Sequence, residues 1–264
     1  MIHMAKREEF NLELHHSKCF NALLKVNEVL TKHSIEYILL AGTTLGAVRH
    51  GGFIPWDDDI DLGIYRKDVK RVARILLEEL PDEFVYQDRT VVSGFPRLFG
   101  KIIDSDNGYG CIDFFPIVKT SNSKLGRSIQ WNNRKILFKL YKAKIGYSND
   151  KEHAGLKEEV KLVFASALSK FISMNRLENL IDKNESRYET KGDNKYFIIL
   201  YGAHSMDNET INASWLRPYS FVSFNGVKFP TVGNIDAYLK NMYGDYMTPP
   251  KDADRVLRHN EFFQ

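Results

Sequence analysis

The sequence predicts an α+β fold in which a small mixed β-sheet is flanked by helices and joined by a largely helical insert. Short apolar runs such as 37–40 have the length of buried strands, whereas 11–33 carries apolar residues near helical spacing. Asn225-Gly226 between two apolar stretches is a strong hairpin signal. Most of the segment 129–190 has helical periodicity. Together these observations predict both element types in one chain.

The first half of the chain alternates between helix and strand patterns. In order, the predicted elements are a helix at 11–33, a strand at Tyr37–Leu40, a short helix at Leu45–Arg49, a strand at Asp59–Ile64, a helix at 66–80, and strands at 97–103 and 110–115. Gly42 marks a tight turn before the short helix, and Thr43 or Thr44 is predicted to cap that helix. Pro81 is expected to stop the helix before it, and Pro116 to end the last of these strands.

The second half is predicted to be helical until about residue 190, with breaks near Gly146 and Ser173. The hairpin follows, with strands at Phe221–Phe224 and Val227–Phe229, and then a last helix at about Ile235–Tyr243. We therefore expect a core at 1–120, a mainly helical insert at 121–215 that is a candidate acceptor-binding region, and a C-terminal hairpin, helix and tail at 216–264 that pack back on the core.

Composition narrows the class of protein. With 264 residues, 43% hydrophobic and 27% charged, the chain resembles a globular protein that needs no disulfide or metal for stability. Cys19 and Cys111 have neither metal nor redox spacing, which suggests reduced thiols in a cytoplasmic protein. We expect no signal peptide and no membrane-spanning helix, because no apolar run approaches about 18 residues. The net charge of +3 suits an anionic substrate.

The sequence GGFIPWDDDIDLGI at 51–64 places acids directly before and inside a predicted strand. Because strand side chains alternate, Asp59 and Asp61 share one face, and the intervening apolar residues face the core. Asp57 has the same parity but precedes the strand, and Asp58 faces elsewhere, so both are expected to be supporting or solvated neighbours. Two adjacent buried carboxylates require a proton or a cation, and Mg²⁺ prefers such oxygen ligands. A solvated acidic loop or a helix-capping cluster is the alternative.

A third acid, Asp113, lies in the apolar sequence CIDFFP. Such a carboxyl group must be neutral, hydrogen-bonded, ion-paired or bound to a metal. An ion pair with Lys101 or Arg97 is one reading. Together with Asp59 and Asp61, a metal triad on neighbouring strands is the favoured one.

The sequence AGTTLG at 41–46 could hold a phosphate group. Glycine lets backbone N–H groups approach a ligand, and a helix N-terminus favours anions. The sequence lacks the ending and the spacing of a Walker A loop. A glycine that only turns the chain is the alternative, but the position just before the aspartates favours phosphate binding.

Several segments of the chain resemble a known protein family. The segment AGTTLGAVRHGGFIPWDDDIDLGI at 41–64 closely resembles the signature of the LicD family, phosphotransferases of the nucleotidyltransferase-fold superfamily. Similar blocks occur at 101–117, at 224–247 and in the ending from Pro249 to His259. The resemblance therefore covers most of the chain except about 120–215. It implies that the core is nucleotidyltransferase-like.

The resemblance also implies roles for individual residues. By motif position, Gly42 and Thr43 would bind the nucleotide phosphates, and Asp59, Asp61 and Asp113 would bind a divalent metal ion, Mg²⁺ or Mn²⁺. One carboxylate, Asp113 or Asp61, would accept the proton of the attacking hydroxyl group.

Further side chains are candidates for binding the donor and the acceptor. The remaining nucleotide or phosphate candidates are Thr44, Arg49, His50 and Lys101, of which Arg49 and Lys101 would clamp the diphosphate. The substrate candidates are Trp56, Tyr243, Arg255 and His259. Trp56 with Tyr109 or Tyr243 could hold a quaternary ammonium group by cation–π attraction. Ordinary packing of the aromatic rings, and a solvated surface role for His50, Arg255 and His259, are the alternatives.

The activity implied by the resemblance is transfer of a phosphoalkyl group to a hydroxyl of a cell-surface glycan precursor, with release of CMP. In the best-known case CDP-choline donates phosphocholine to teichoic acid or lipooligosaccharide, and related members transfer ribitol phosphate. The expected partners are a CDP-linked donor and a glycan or lipid-linked glycan acceptor, with no nucleic acid. Two alternatives remain: a nucleotidyltransferase acting on a small molecule or an RNA end, and a non-catalytic nucleotide-binding module.

The segment between Lys119 and Asn149 contains eight Lys or Arg residues, no acid and several aromatic residues. Such a segment could lie on the inner face of the cytoplasmic membrane, near a lipid-linked acceptor. A partly buried helical insert with a solvated basic face is the other interpretation.

Overall fold

A mixed β-sheet forms the centre of the molecule. The computed structural model describes residues 11–106, 108–147, 165–190 and 192–251. Within these residues one sheet contains nine strands. They are β1 (Tyr37–Leu39), β2 (Ile60–Tyr65), β3 (Phe84–Gln87), β4 (Gly100–Asp104), β5 (Gly110–Lys119), β6 (Tyr196–Ile199), β7 (Thr210–Asn212), β8 (Ser220–Phe224) and β9 (Val227–Thr231). The strand order is β3-β4-β5-β2-β1-β9-β8, and β6 joins β5 to β7.

Helices flank this sheet. They are α1 (Leu12–Lys32), α2 (Ala41–His50), α3 (Val69–Glu79), α4 (Lys124–Lys144), α5 (Met174–Glu185), α6 (Ala213–Leu216) and α7 (Ile235–Tyr243). The β2–β5 and β1–β9 pairs are parallel, and the other neighbouring strands run antiparallel. A mixed sheet flanked by helices confirms the predicted fold class. Among the described residues, no helix combines the length and apolar character needed to cross a bilayer.

The two faces of β2 have different surroundings. Ile60, Leu62 and Ile64 are fully buried in the same apolar cluster as the inner faces of α1 and α3. Burying such a side chain stabilises the fold by about 1.5–3 kcal/mol. Asp61 lies on the opposite face, as the predicted alternation requires. The sheet therefore holds an acidic side chain in place through its apolar neighbours.

The prediction that Pro116 ends its strand is wrong, because β5 continues through it to Lys119. On one side Pro116 pairs in register with β2. On the other side β5 pairs with β4 as far as Phe114 and with β6 from Ile117 onwards. Pro116 therefore occupies the gap between two partner strands, where the missing N–H group is tolerated.

The structure confirms two other predicted elements and contains three strands that were not predicted. The hairpin at Asn225-Gly226 is confirmed, with positive φ angles of 48° and 82° at its two turn residues. The last helix is confirmed at Ile235–Tyr243. The strand β3 was not predicted, and neither were β6 and β7, which the end of the segment expected to be mainly helical adds to the sheet.

Candidate active site

A cavity of about 460 Å³ opens on the face of the sheet that carries Asp61. Its carboxylates are Asp57, Asp59, Asp61, Asp113, Glu209 and Asp245. Two guanidinium groups, those of Arg49 and Arg97, also line it. A cavity with both acids and arginines can bind an anionic ligand together with a cation.

Strand register brings two of the predicted acids together. Asp61 of β2 lies directly opposite Asp113 of β5 in the parallel pair, and neighbouring strands are about 4.8 Å apart. Asp59 comes immediately before β2 and lines the same cavity. The structure thus places all three predicted acids around one space, although they come from distant parts of the sequence.

The pKa of Asp61 indicates that the negative charge of these acids is poorly compensated by the protein alone. Burial is the largest cause that raises the pKa of Asp61 well above its ordinary value, and the carboxylates of Asp59 and Asp57 raise it further. Charged carboxylates in this arrangement destabilise one another unless a cation lies among them. Oxygen ligands of this kind suit Mg²⁺ or Mn²⁺. The residues present therefore fit a divalent metal ion.

Asp57 and Asp58 are predicted to be supporting or solvated neighbours, and the structure excludes the solvated role for Asp58. One oxygen each of Asp57, Asp58 and Asp59 lies within 4.8 Å of the other two, a spacing at which they could share a metal ion. Asp58 is only 2% exposed, so it is not solvated. Asp57 lines the cavity. Its parity with Asp59 and Asp61 could have shown this, because the alternation extends back from the strand.

Two histidines of α1 hold the aspartate segment from behind. The ring N–H at Nε2 of His15 donates to the carbonyl oxygen of Asp58 at 2.7 Å, and that of His16 donates to the carbonyl of Asp57 at 2.6 Å. Burial is the largest cause lowering the pKa of His15, which favours the neutral ring. The rings must be the donors, because carbonyl oxygens only accept hydrogen bonds. Since both acceptors are main-chain atoms, the two bonds hold the backbone of the acidic segment in place.

Lys101 has a different position from the predicted one. It pairs with Asp113 across the β4–β5 register, with 2.5 Å between Nζ and Oδ1, and it does not appear in the cavity wall. Although burial lowers the pKa of Lys101, the carboxylates of Asp113 and Asp59 raise it overall. Its place is therefore that of a buried counter-ion to Asp113, and the predicted clamp on a diphosphate does not follow from this geometry. Of the two ion-pair partners that the sequence offered for Asp113, the structure shows Lys101.

The predicted glycine turn is the first turn of α2, because the helix already begins at Ala41. The prediction that Thr43 or Thr44 caps this helix is wrong, since Leu40 is the N-cap residue and provides no side-chain cap. Instead, the Thr43 hydroxyl accepts from the Asp61 backbone N–H at 2.7 Å. Thr44 is fully buried with its hydroxyl 3.0 Å from that of Thr231, away from the cavity.

Gly42 does line the cavity. A Cβ atom at this position would lie 2.7 Å from Oδ2 of Asp57 and 3.9 Å from Oδ2 of Asp61. The absence of a side chain therefore lets the acids approach the N-terminus of α2.

The remaining predicted residues lie partly around the cavity. Arg49 lines it and donates from Nη1 to the Tyr246 carbonyl at 2.9 Å. Trp56 and Tyr243 also line the cavity. His50 does not line it, but its ring lies roughly perpendicular to that of Trp56, with 6.2 Å between the ring centroids.

Tyr109 is not in the cavity wall; it contacts His15, with 6.0 Å between ring centroids, so its predicted part in a cation cage is wrong. Arg255 and His259 lie outside the described residues.

Sequence reasoning missed several cavity residues, above all Glu209 and Arg97. Glu209 precedes β7, is 3% exposed, and accepts the backbone N–H of His204 at 2.9 Å. It stands in the polar sequence HSMDNETIN, which contains no apolar pattern to mark a buried acid. Arg97 was considered only as a partner of Asp113. Glu209 and Arg97 both lie in loops, and the positions of these loops depend on tertiary contacts that the local sequence does not show.

Known proteins resemble the part of the chain that carries most of the cavity residues. The family model described as LicD/FKTN/FKRP, nucleotidyltransferase domain, matches residues 34–146. The lipopolysaccharide cholinephosphotransferase LicD of Haemophilus influenzae is 24% identical over 253 residues, which cover 91% of this chain and 93% of that protein. The ribitol 5-phosphate transferase FKRP of Mus musculus is 36% identical over 91 residues, or 33% of this chain and 18% of that protein. The human FKRP is 56% identical over 41 residues, or 16% of this chain and 8% of that protein.

The matched residues 34–146 include β1, α2, β2 and β5. They carry Gly42 and four of the cavity aspartates, Asp57, Asp59, Asp61 and Asp113. The match with the Haemophilus influenzae protein extends over nearly the whole length of both chains. The domain match, the long alignment and the mixed sheet agree with one another, and they confirm the resemblance of this chain to the LicD family.

Proposed function

We propose that this protein transfers a phosphoalkyl group from a CDP-linked donor to a hydroxyl group of a cell-surface glycan precursor and releases CMP. The transferred group that we favour is phosphocholine from CDP-choline, because a relative aligned over 93% of its length is a lipopolysaccharide cholinephosphotransferase. The observation that supports transfer most directly is the cavity in which buried carboxylates face two arginines.

The proposed metal ligands are Asp59 and Asp61, with Asp57 beside them and Asp113 on the neighbouring strand. These residues would hold a divalent ion, which would supply positive charge to the diphosphate of the donor. The half-buried position of Asp61 among other acids supports this assignment, because neighbouring carboxylates repel one another unless a cation lies among them.

The chain's own residues would orient the donor. Arg49 and Arg97 present guanidinium groups that suit phosphate oxygens. Gly42 at the start of α2 leaves room for the Asp57 carboxylate beside the helix N-terminus, so that acid and helix end line the same cavity. Trp56 and Tyr243 add aromatic surface that suits a quaternary ammonium group.

The test is to incubate the purified protein with Mg²⁺ and each of several donors, and to separate CMP from pyrophosphate by ion-exchange chromatography. We expect CMP from CDP-choline in the presence of a teichoic acid or lipooligosaccharide acceptor, with choline phosphate appearing on the glycan. Pyrophosphate from a nucleoside triphosphate would identify a nucleotidyltransferase instead. If no donor turns over with any of these acceptors, the transferase proposal is wrong and a binding module remains.

We also propose that the outer face of α4 rests on an anionic membrane surface, where a lipid-linked acceptor would be found. Leu125, Ile129 and Ile136 are 72%, 42% and 58% exposed. Their spacing of four and seven residues places them on one side of the helix. Lys124 and Lys135 are exposed near this apolar stripe. An apolar stripe beside lysines suits anionic lipid headgroups.

Co-sedimentation with vesicles tests this placement. We expect binding to vesicles that contain phosphatidylglycerol, weaker binding at high salt, and loss of binding in the Leu125→Asp/Ile136→Asp variant. Leu14→Asp on α1, which replaces another exposed leucine, is the matched control and should still bind. Equal binding by both variants, or no binding at all, would show that α4 does not dock on lipid.

A further inference from the structure

Glu209 is a buried acid in the active-site cavity that is not one of the aspartates discussed above. It precedes β7, is 3% exposed, and lines the cavity together with Asp61. The chain makes room for its carboxylate with Gly202: a Cβ atom there would lie 2.1–2.4 Å from the carboxylate atoms of Glu209. A side chain at position 202 would push this carboxylate from its present place, so Glu209 and Gly202 fit each other closely.

The surroundings of Glu209 are polar but contain little compensating charge. The titratable side chains that face it are Asp61 of β2, Arg134 of α4, Tyr201 and His204 of the segment between β6 and β7, and Tyr238 and Tyr243 of α7. Burial is the largest cause that raises the pKa of Glu209, to about 7, while the hydrogen bond from the His204 backbone and the charge of Arg134 lower it. An acid with this pKa can take up or release a proton near neutral pH.

Asp113 and Asp61, the two sequence-based candidates for the base, have different surroundings. The Asp113 carboxylate is paired with Lys101 at 2.5 Å. Asp61 lies among other carboxylates, where a cation is needed to compensate them. An acid that holds a cation or a lysine is a poor proton acceptor, because its negative charge is already stabilised. Glu209 is held by a backbone N–H group instead.

We propose that Glu209 is the general base that accepts the proton of the acceptor's attacking hydroxyl group, a role that rests on the proposed transferase function. In this step the hydroxyl oxygen forms a bond to the transferred phosphorus. The bridging P–O bond breaks, its electron pair remains on the CMP oxygen, and the hydroxyl proton moves to a carboxylate oxygen of Glu209. Water takes up that proton after the products leave. This assignment replaces Asp61 and Asp113 as candidates for the base.

The pH dependence of kcat in Glu209→Gln tests the proposal. Gln has nearly the same shape and can still accept the His204 N–H, but it cannot take up the proton. We expect the kcat of the unaltered protein to fall as the pH drops below about 7. In the variant we expect kcat to be about 10²–10⁴-fold lower, without that acidic limb. Glu28→Gln, at an exposed position on α1, is the matched control and should keep both rate and limb.

A second readout separates a catalytic role from a structural one. Titration calorimetry with CDP-choline and Mg²⁺ should give a Kd for Glu209→Gln within about twofold of the unaltered protein, because the base contacts the acceptor and not the donor. A parallel loss of donor affinity and kcat would assign Glu209 to binding and overturn the proposal. So would a variant that keeps a third or more of kcat, or that keeps the acidic limb.

Two outcomes remain to be distinguished. If Glu209→Gln does not fold, the pH profile of the unaltered protein decides, and a kcat that stays constant between pH 6 and 8 would reject the proposed base. If the unaltered protein releases CMP from no CDP-linked donor, the proposed function fails, and with it the role of Glu209. Turnover by the unaltered protein with an unimpaired variant would instead reject the role of Glu209 alone.

Discussion

The raised pKa of Glu209 makes folding stability depend on pH in a way that can be measured without substrate or metal. The carboxyl group has a pKa of about 7 in the folded protein and an ordinary value of 4.5. Between these values the folded protein binds a proton that the unfolded chain has already released. The free energy of unfolding therefore falls as the pH rises from about 4.5 to about 7, and this contribution is constant above that range.

The size of the effect follows from the two pKa values. The difference between 4.5 and about 7 corresponds to about 3 kcal/mol. In Glu209→Gln the side chain is neutral at every pH, so the variant escapes this cost. Relative to the unaltered protein, the variant should gain about 2.5 kcal/mol between pH 5 and pH 8, because a small part of the effect is already present at pH 5. For a chain of this length that corresponds to a difference in Tm of roughly 5 °C.

The assay is thermal unfolding followed by circular dichroism at pH 5, 6, 7 and 8, in the presence of EDTA to remove divalent ions. Glu28→Gln serves as the control, because that side chain is 72% exposed and its stability difference should stay small at every pH. A difference between Glu209→Gln and the unaltered protein that is the same at pH 5 and pH 8 would refute the reasoning, since it would mean that the Glu209 carboxyl titrates normally.

Three further predictions concern the aspartate side of the cavity. Asp59→Asn should abolish turnover while circular dichroism shows an intact fold, and retained turnover would contradict its role as a metal ligand. Lys101→Met should lower the free energy of unfolding at pH 8 by about 3–5 kcal/mol, because Asp113 keeps its buried charge without the ammonium partner; urea denaturation measures this, and a loss below 1 kcal/mol would argue against the pair. Gly42→Ala should weaken Mn²⁺ binding at least tenfold in titration calorimetry, since its Cβ would lie 2.7 Å from Oδ2 of Asp57; unchanged affinity would place the ion elsewhere.

Local signals predicted the parts of this fold that depend on few residues. The alternation around Asp59 and Asp61 was correct because a strand fixes the direction of each side chain whatever surrounds it. Asn225-Gly226 was sufficient for the hairpin because both residues adopt positive φ at low cost. In both cases the physical cause lies within about six residues of the chain.

Features that depend on distant segments were not predictable in this way. Pro116 looked like the end of a strand, since nothing in the sequence shows that β5 changes partners there. Thr43 looked like a helix cap, but its hydroxyl accepts a hydrogen bond from the backbone of Asp61, 18 residues later. Glu209 becomes buried only when the segment before β7 folds over the sheet, close to Gly202. Each of these outcomes is decided by a tertiary contact.

The register of the sheet explains how so many acids can be tolerated in one cavity. Asp61, Asp113 and Lys101 lie side by side on β2, β5 and β4, so the row across the sheet runs acid, acid, base. Lys101 compensates the charge of Asp113 from one side. The remaining negative charge is then concentrated at the other end, around Asp61 and Asp59, where the side chains face the cavity. A ligand that brings positive charge is therefore stabilised at that end of the row, beside an acid that already has the lysine as its partner.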